Sequence, residues 1–388
     1  MNKKIIFRAV IYVSVLLFSF LFILIGNILC RVDRSNGVTE YYSAKVIFVG
    51  EVYTENATWE GAEDTVASKT INFIAEITDD EYQDYEISMQ QHIDCLYSIP
   101  KKQVEVNDKI VVSRSEDQDT KTVSWDFVDY NRISYVIVLC ILFFVLIIII
   151  GRRKGISTLI SLAITVLVIF MVFIPSVLKG YNIYVSTIII SVFIILMSFL
   201  LINGADKKTL CAVLGNVCGV AIAGVLAIIF EKVSRITGIV DQDYLFLNFL
   251  DSGKALDLKA LVWSGVVIGS LGAVMDIAMS IASSVNELSE TMHNKSFAKL
   301  FKSGMNIGRD AIGTMTNTLI LAYIGGSLST VLLLVSYKNS FIYLFNLEMI
   351  IVEIMQGVIG SIGILIAVPL TTLMSAYFFS KKPKEKTI

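Results

Sequence analysis

Residues 265–288 read GVVIGSLGAVMDIAMSIASSVNEL, and residues 304–328 read GMNIGRDAIGTMTNTLILAYIGGSL. Both stretches are apolar enough to be membrane helices, yet neither is a clean hydrocarbon span. In the first, Gly265, Gly269, Gly272, Asp276, Ser280, Ser283 and Glu287 follow one another at steps of three and four. At about 3.6 residues per turn they share one helical face, small at one end and polar at the other. The second repeats the design with Asn306, Arg309, Asp310, Gly313, Thr314 and Asn317. The other positions are mostly Ile, Leu, Met, Val and Ala, which suit lipid or neighbouring helices. A carboxylate in hydrocarbon costs several kcal/mol, so these faces are expected to turn toward a bundle interior or a wet cavity. The pair is the expected functional centre.

The rest of the chain agrees with a membrane setting. Of 388 residues, 55% are hydrophobic and 17% charged, with a mean hydropathy of +0.71; a soluble protein carries about 25% charged residues. The charges are segregated between long uncharged runs, the pattern of a polytopic membrane protein. The net charge of −2 averages two unlike regions. Of the five cysteines, Cys140, Cys211 and Cys218 fall in apolar spans and read as small packing residues. Cys30 and Cys95 fall in one expected compartment and could pair, although spacing alone does not decide it. With two histidines, His92 and His293, in different regions, no metal site is expected.

Four segments follow from composition. Residues 1–30 carry Lys3, Lys4 and Arg8 before an apolar run long enough to span, and read as an uncleaved anchor. Residues 31–132 hold 21 acidic and 10 basic residues, a net charge near −11. Strand patterns at Ala44–Glu51, Thr70–Ile77 and Lys109–Ser113, the last after the turn signal Asn107-Asp108, predict a small antiparallel β barrel or sandwich. Residues 133–379 hold seven further spans, expected near 133–150, 156–176, 183–202, 209–230, 259–284, 310–335 and 351–379. Residues 380–388 form a basic tail.

Lysine and arginine concentrate in alternate loops: Gly151–Gly155 (GRRKG), Asn203–Lys208, Val285–Arg309 and the tail from Ser380. By the positive-inside rule both termini are cytoplasmic and the acidic β domain is outside. The basic stretch 285–308 could form an interfacial amphipathic helix. In the last span, Glu353, Gln356, Gly357, Gly360, Gly363 and Ala367 share a face of the same small and polar kind.

The fold expected is therefore an α-helical polytopic membrane protein of about eight transmembrane helices, with a small extracytoplasmic β-rich domain between helices 1 and 2. Asp276 lies about 25 Å along its span from Lys259, and Asn317 about 12 Å along the next from Arg309. Asp276, Arg309 or Asp310, Thr314 and Asn317 are thus expected at similar depth, with Glu353 near the opposite mouth. An Asp276–Arg309 pair that simply locks two helices is the bland alternative. No phosphate-binding Gly-rich loop, HExxH, paired CxxC or GxSxG occurs, so no enzyme and no cofactor are expected.

The runs GSLGAVMDIAMSIASSVNEL at 269–288, SGMNIGRDAIGTMTNTLILAYIGGSL at 303–328 and GSIGILIAVPLTTL at 360–373 resemble the YibE/F-like family of bacterial multi-span membrane proteins. The resemblance implies a bacterial cell-membrane protein and supplies no reaction or substrate. The leading expectation is a transporter or permease for a small ion or solute. Asp276 would bind a cation, Arg309 and Asp310 would gate, Thr314 and Asn317 would supply neutral ligands, and Ser280 and Glu353 would extend the path. The alternative is a membrane scaffold or sensor whose β domain binds a partner. Expected partners are the lipid bilayer, a small ion or solute, and either another membrane protein or a second copy, with no nucleic acid.

Overall fold

The computed structural model describes residues 3–31, 40–57, 65–79, 82, 84–94, 102–116, 123–248, 256–292, 295–336 and 340–380. The chain divides into two compact units: Asp33–Leu146, and Met1–Val32 with Ile147–Ile388.

The first unit is a five-stranded antiparallel sheet of β1 (Glu40–Ala57), β2 (Thr65–Ile77), β3 (Glu86–Asp94), β4 (Lys109–Glu116) and β5 (Val123–Tyr130), in the order β3-β2-β1-β4-β5. Three consecutive strands and a fourth returning beside the first make a Greek key. Register shifts between Val46 and Phe48, Val49 and Val52, and Glu55 and Asn56 bend β1, which pairs with both β2 and β4. The sheet curls until its edges meet through side chains. Phe73 and Phe127 pack edge to face at 5.8 Å, and Gln91 of β3 donates to the Tyr130 hydroxyl of β5 at 3.4 Å. Val46, Phe73, Ala75, Ile77, Ile110 and Val112 fill the interior. The three predicted strands are present and longer than expected. Asn107 adopts a left-handed φ of 75° at the predicted turn, where its N–H donates to the Val46 carbonyl. The sequence reading missed β3 and β5. In β3, Ile87, Met89, Gln91 and Ile93 alternate inward, and the polar run Gln90-Gln91-His92 hides that period. Cys95 lies outside the described residues, so the Cys30–Cys95 pairing does too.

The helices are α1 (Lys3–Cys30), α2 (Ile133–Val168), α3 (Ile174–Leu178), α4 (Ile183–Asn203), α5 (Lys207–Val233), α6 (Gln242–Asn248), α7 (Leu258–Thr291), α8 (Phe297–Gly326), α9 (Leu328–Ser336), α10 (Phe341–Leu344) and α11 (Glu348–Ser380), with a π-helical turn Ile169–Phe173 before α3. Among the described residues, six helical stretches are long and apolar enough to cross a membrane: 9–30, 133–178, 183–203, 207–233, 258–291 and 348–380. The second contains two expected spans. Helix α2 is interrupted at Arg152, whose φ of 50° and ψ of −127° are not helical, inside the GRRKG sequence where a loop was expected. Gly155 answers that kink, because a Cβ there would run into the Ile147 carbonyl.

Two expectations about the second polar stretch need correction. The span expected at 310–335 breaks at Ser327, between α8 and α9, and α8, though 30 residues long, falls short of the apolarity of a span. The basic segment 297–309 is no separate interfacial helix. Ser296 caps its start, accepting from Lys299 N at 3.3 Å, and the helix runs on unbroken to Gly326. Leu300 is fully buried, and Gly304 lies against Thr372 and Val285, so these first turns are anchored in the bundle.

The bundle core is built on α5, α7 and α11. Helix α5 sets Cys211, Gly215, Gly219 and Ala223 toward α11, which answers with Gly363, Ala367, Thr371 and Ser375. A Cβ on Gly215 would collide with Thr371, and one on Gly219 with Val274, Ala367 and the Gly363 carbonyl. Such small residues let backbones approach closely where lipid supplies no hydrophobic drive. Trp263 of α7 donates from Nε1 to the Gly224 carbonyl of α5 at 2.8 Å.

Candidate functional site

Helix α7 starts at Asp257, whose carboxylate accepts from Ala260 N at 3.1 Å. From there the face with Gly265, Gly269, Gly272, Asp276, Ser280 and Glu287 is exposed along its length. The opposite face, with Val266, Val274, Ile277, Ala278, Ile281 and Val285, is buried in the bundle. The polar face therefore turns away from the core, against the expectation that it would turn inward.

Helix α8 packs against α7 and α11 by a narrow strip. Gly308 meets Val368 and Ile281, and Met305, Ala311, Ile312, Met315 and Leu319 pack toward the core. Its outward face carries Asn306, Arg309, Asp310, Gly313, Thr314 and Asn317, all exposed. Nothing approaches a Cβ built on Gly272 or Gly313 within 4 Å, so the middle of this surface is open on both helices.

The contact at Gly308 and Ile281 sets the depth. Arg309 stands about four residues from the level of Asp276, roughly 6 Å along the axis. The two do not pair. Among the described residues, Asp276, Arg309 and Asp310 form no ion pair, and Arg309 reaches only Asn306 on its own helix, at 3.5 Å. Thr314 turns its hydroxyl back to the Ala311 carbonyl at 3.0 Å. The bland alternative of a helix-locking Asp276–Arg309 bridge is not what the geometry shows within one chain.

Glu353 sits elsewhere. It lines a pocket of 180 Å³ with Ile320, Tyr323, Ser327, Val331 and Gly357, between α8, α9 and α11. Tyr323, which sequence reasoning did not single out, bridges this pocket to the polar face, because its hydroxyl sits over Gly269. Gln356 lies 3.6 Å from a Cβ built on Gly265. Glu348 was also missed. Its carboxylate accepts from Thr237 N at 2.9 Å, Thr237 Oγ1 at 2.8 Å and Gly238 N at 2.5 Å, tying the start of α11 to the turn after α5. The Thr237-Gly238 pair, whose glycine takes a φ of 91° in the structure, is the turn signal in the sequence that could have flagged it.

A separate cavity of 740 Å³ lies in the β unit, lined in part by Lys102, Asp108, Lys109, Asp129, Tyr130 and Arg132. Its charges are largely paired. Lys102 lies 3.4 Å from Asp108, and Arg132 makes two contacts to Asp129 at 2.8 and 3.0 Å. The hydrogen bond to Asp108 holds the Lys102 ammonium above its ordinary value. Among the described residues no cluster of His, Cys, Asp and Glu is arranged to hold a metal ion.

A family model described as YibE/F-like protein matches residues 139–381, which include α7, α8 and α11 in full. Comparison with curated proteins and with solved structures gives no match.

Proposed function

The chain belongs to the YibE/F-like family, and from that premise we propose that it is a membrane permease for a small cation, with the α7–α8 polar surface as its path. The observation that carries this reading is Asp276, a carboxylate with no ion-pair partner among the described residues, on a helix otherwise fit to span a membrane. An ionisable group at such a place marks an ion pathway more often than a structural contact. Around it the surface offers oxygen ligands, from Ser280, Thr314, Asn317 and Asp310. Hard oxygens of this kind suit protons, sodium or divalent cations. Arg309, at the basic end of the face, would gate the path electrostatically, and Glu353 with Tyr323 would form the other mouth. In this reading the termini and the GRRKG kink face the cytoplasm of a bacterial cell and the acidic β unit faces outward, where its charge gathers cations.

The test is flux into proteoliposomes under imposed proton, sodium and divalent-cation gradients. Asp276→Asn should keep the wild-type melting temperature and lose the flux. Wild-type flux in that variant would overturn the assignment of Asp276. The β-unit cavity favours a second reading, a sensor that binds a ligand outside the membrane. Under it, Lys102→Ala and Arg132→Ala would abolish function while Asp276→Asn would not.

A further inference from the structure

We infer that the α7–α8 polar surface is closed by a second copy of the same chain, in an isologous dimer with Asp276 of each protomer facing Arg309 of the other. The inference deepens the permease reading, because it makes the path a feature of two chains in which the Asp276–Arg309 pairs are the gate a cation displaces to reach Asp276, and it rests on that reading for its functional meaning.

Helix α8 is amphipathic in the wrong sense for a lipid-facing helix. Its apolar strip, with Leu300, Gly304 and Gly308, faces the bundle, and its polar residues face away from it. Asp276 lies beside them on α7, exposed and without an ion-pair partner among the described residues. Hydrocarbon cannot satisfy an aspartate, an arginine, two asparagines and a threonine, so protein must cover them. The uncovered apolar helix of this chain, Ile133–Ile150, has no buried residue in its most apolar window. It offers only Ser134, Tyr135 and Cys140 as polar side chains, so it cannot answer these charges.

A second copy can. In an isologous interface residue i meets j while j meets i. Asp276 and Arg309 carry opposite charges, stand on one surface, and are about 6 Å apart in depth, within the reach of an extended arginine. One two-fold axis along the membrane normal therefore makes both ion pairs at once. Gly272 and Gly313, open on either side, allow the close backbone approach that small residues permit between membrane helices.

The experiment is reciprocal charge reversal, with full-length chains in lipid nanodiscs and mass read by light scattering. The wild type is expected to be dimeric. Asp276→Lys alone and Arg309→Glu alone should each weaken self-association by at least about tenfold, since each homodimer opposes like charges twice. The two variants co-expressed with different tags should copurify as a heterodimer, because one restored and one native ion pair then face each other. A photo-crosslinking residue at Thr314 of the otherwise wild-type chain should give a band of twice the 43.0 kDa monomer, which guards against misfolding of the charge variants. A monomeric wild type, a dimer indifferent to both reversals, or crosslinks only to lipid or to an unrelated protein would overturn the inference. Flux measured on the same samples separates the two proposals. A dimer without flux sinks the permease and keeps the dimer, whereas flux from monomers does the reverse.

Discussion

Tyr130 closes the β unit at a point where no strand ladder does. Its hydroxyl donates to the Lys102 carbonyl at 2.6 Å and receives Gln91 at 3.4 Å, joining the edge strands β3 and β5. Gln91 is itself buried and also accepts from Val104 N at 2.9 Å. Burial holds the Tyr130 phenol above the usual tyrosine value of 10.0. The folded value is raised, so the neutral phenol's contribution is fully present below the unfolded pKa, about 10, and is lost as pH rises through the folded value. The β unit should therefore weaken on alkaline titration above about pH 10, and Tyr130→Phe should flatten that part of the profile. At neutral pH the same variant should lose about 1 kcal/mol, the ordinary worth of one hydrogen bond, in urea melts read by circular dichroism. An unchanged alkaline limb would assign the loss to other groups. At this scale the sequence exposed some roles and hid others. Asp276 and Arg309 stand out because charge is rare in an apolar run, whereas Tyr323 and Glu348 matter through partners far along the chain, which spacing cannot reveal.

Among elements, the α5–α11 pair depends most on the identity of single residues. Gly215 and Gly219 meet α11 with no room for a Cβ, and Asn216 and Thr371 are buried there with side-chain atoms that find no hydrogen-bond partner among the described residues. Gly215→Val should cost at least about 2 kcal/mol, since overpacking a close contact between two backbones has no cheap relief. Gly325→Ala, where nothing lies within 4 Å, should change the melting temperature little or raise it slightly. Thermal melts of the two variants in detergent give the comparison, and equal losses would mean that the close approach is not what holds α5 to α11. The boundaries of most helices were legible, because long apolar runs and basic loops announce them. The α8 boundary was not. Lys299, Lys302 and Arg309 mark an aqueous segment by composition, yet Ser296 caps a helix there and Leu300 buries it. Which way the polar faces of α7 and α8 turn was not legible either. Periodicity fixes that residues share a face, and only the packing of α8 on Ile281 and Val368 decides where the face points.

The whole molecule joins two cores of different kinds, and its unfolding should show it. The β unit is held by a small interior around Phe73, Ile110 and Val112, and the helical unit by an extensive one running through α4, α5, α7 and α11. Water can replace the strand hydrogen bonds of the first as it opens. In a micelle or bilayer it has no access to the helical backbone bonds of the second, which keep their partners even as packing loosens. Two tryptophans report the units separately. Trp125 of β5 packs against Tyr42 at 5.5 Å, and Trp263 of α7 against Tyr184 at 5.0 Å. A chain retaining Trp125 alone should therefore show a urea transition at lower concentration than a chain retaining Trp263 alone, with Phe at the other tryptophan positions in each. The Trp125 transition should be cooperative, as expected of one small domain. Phe73→Ala, which empties the β interior, should lower the Trp125 midpoint by the equivalent of about 3 kcal/mol and leave the Trp263 signal in place. A single midpoint shared by both reporters, moving together in Phe73→Ala, would show instead that the units unfold as one body, and that a ligand seated in the β unit could act directly on the stability of the helices.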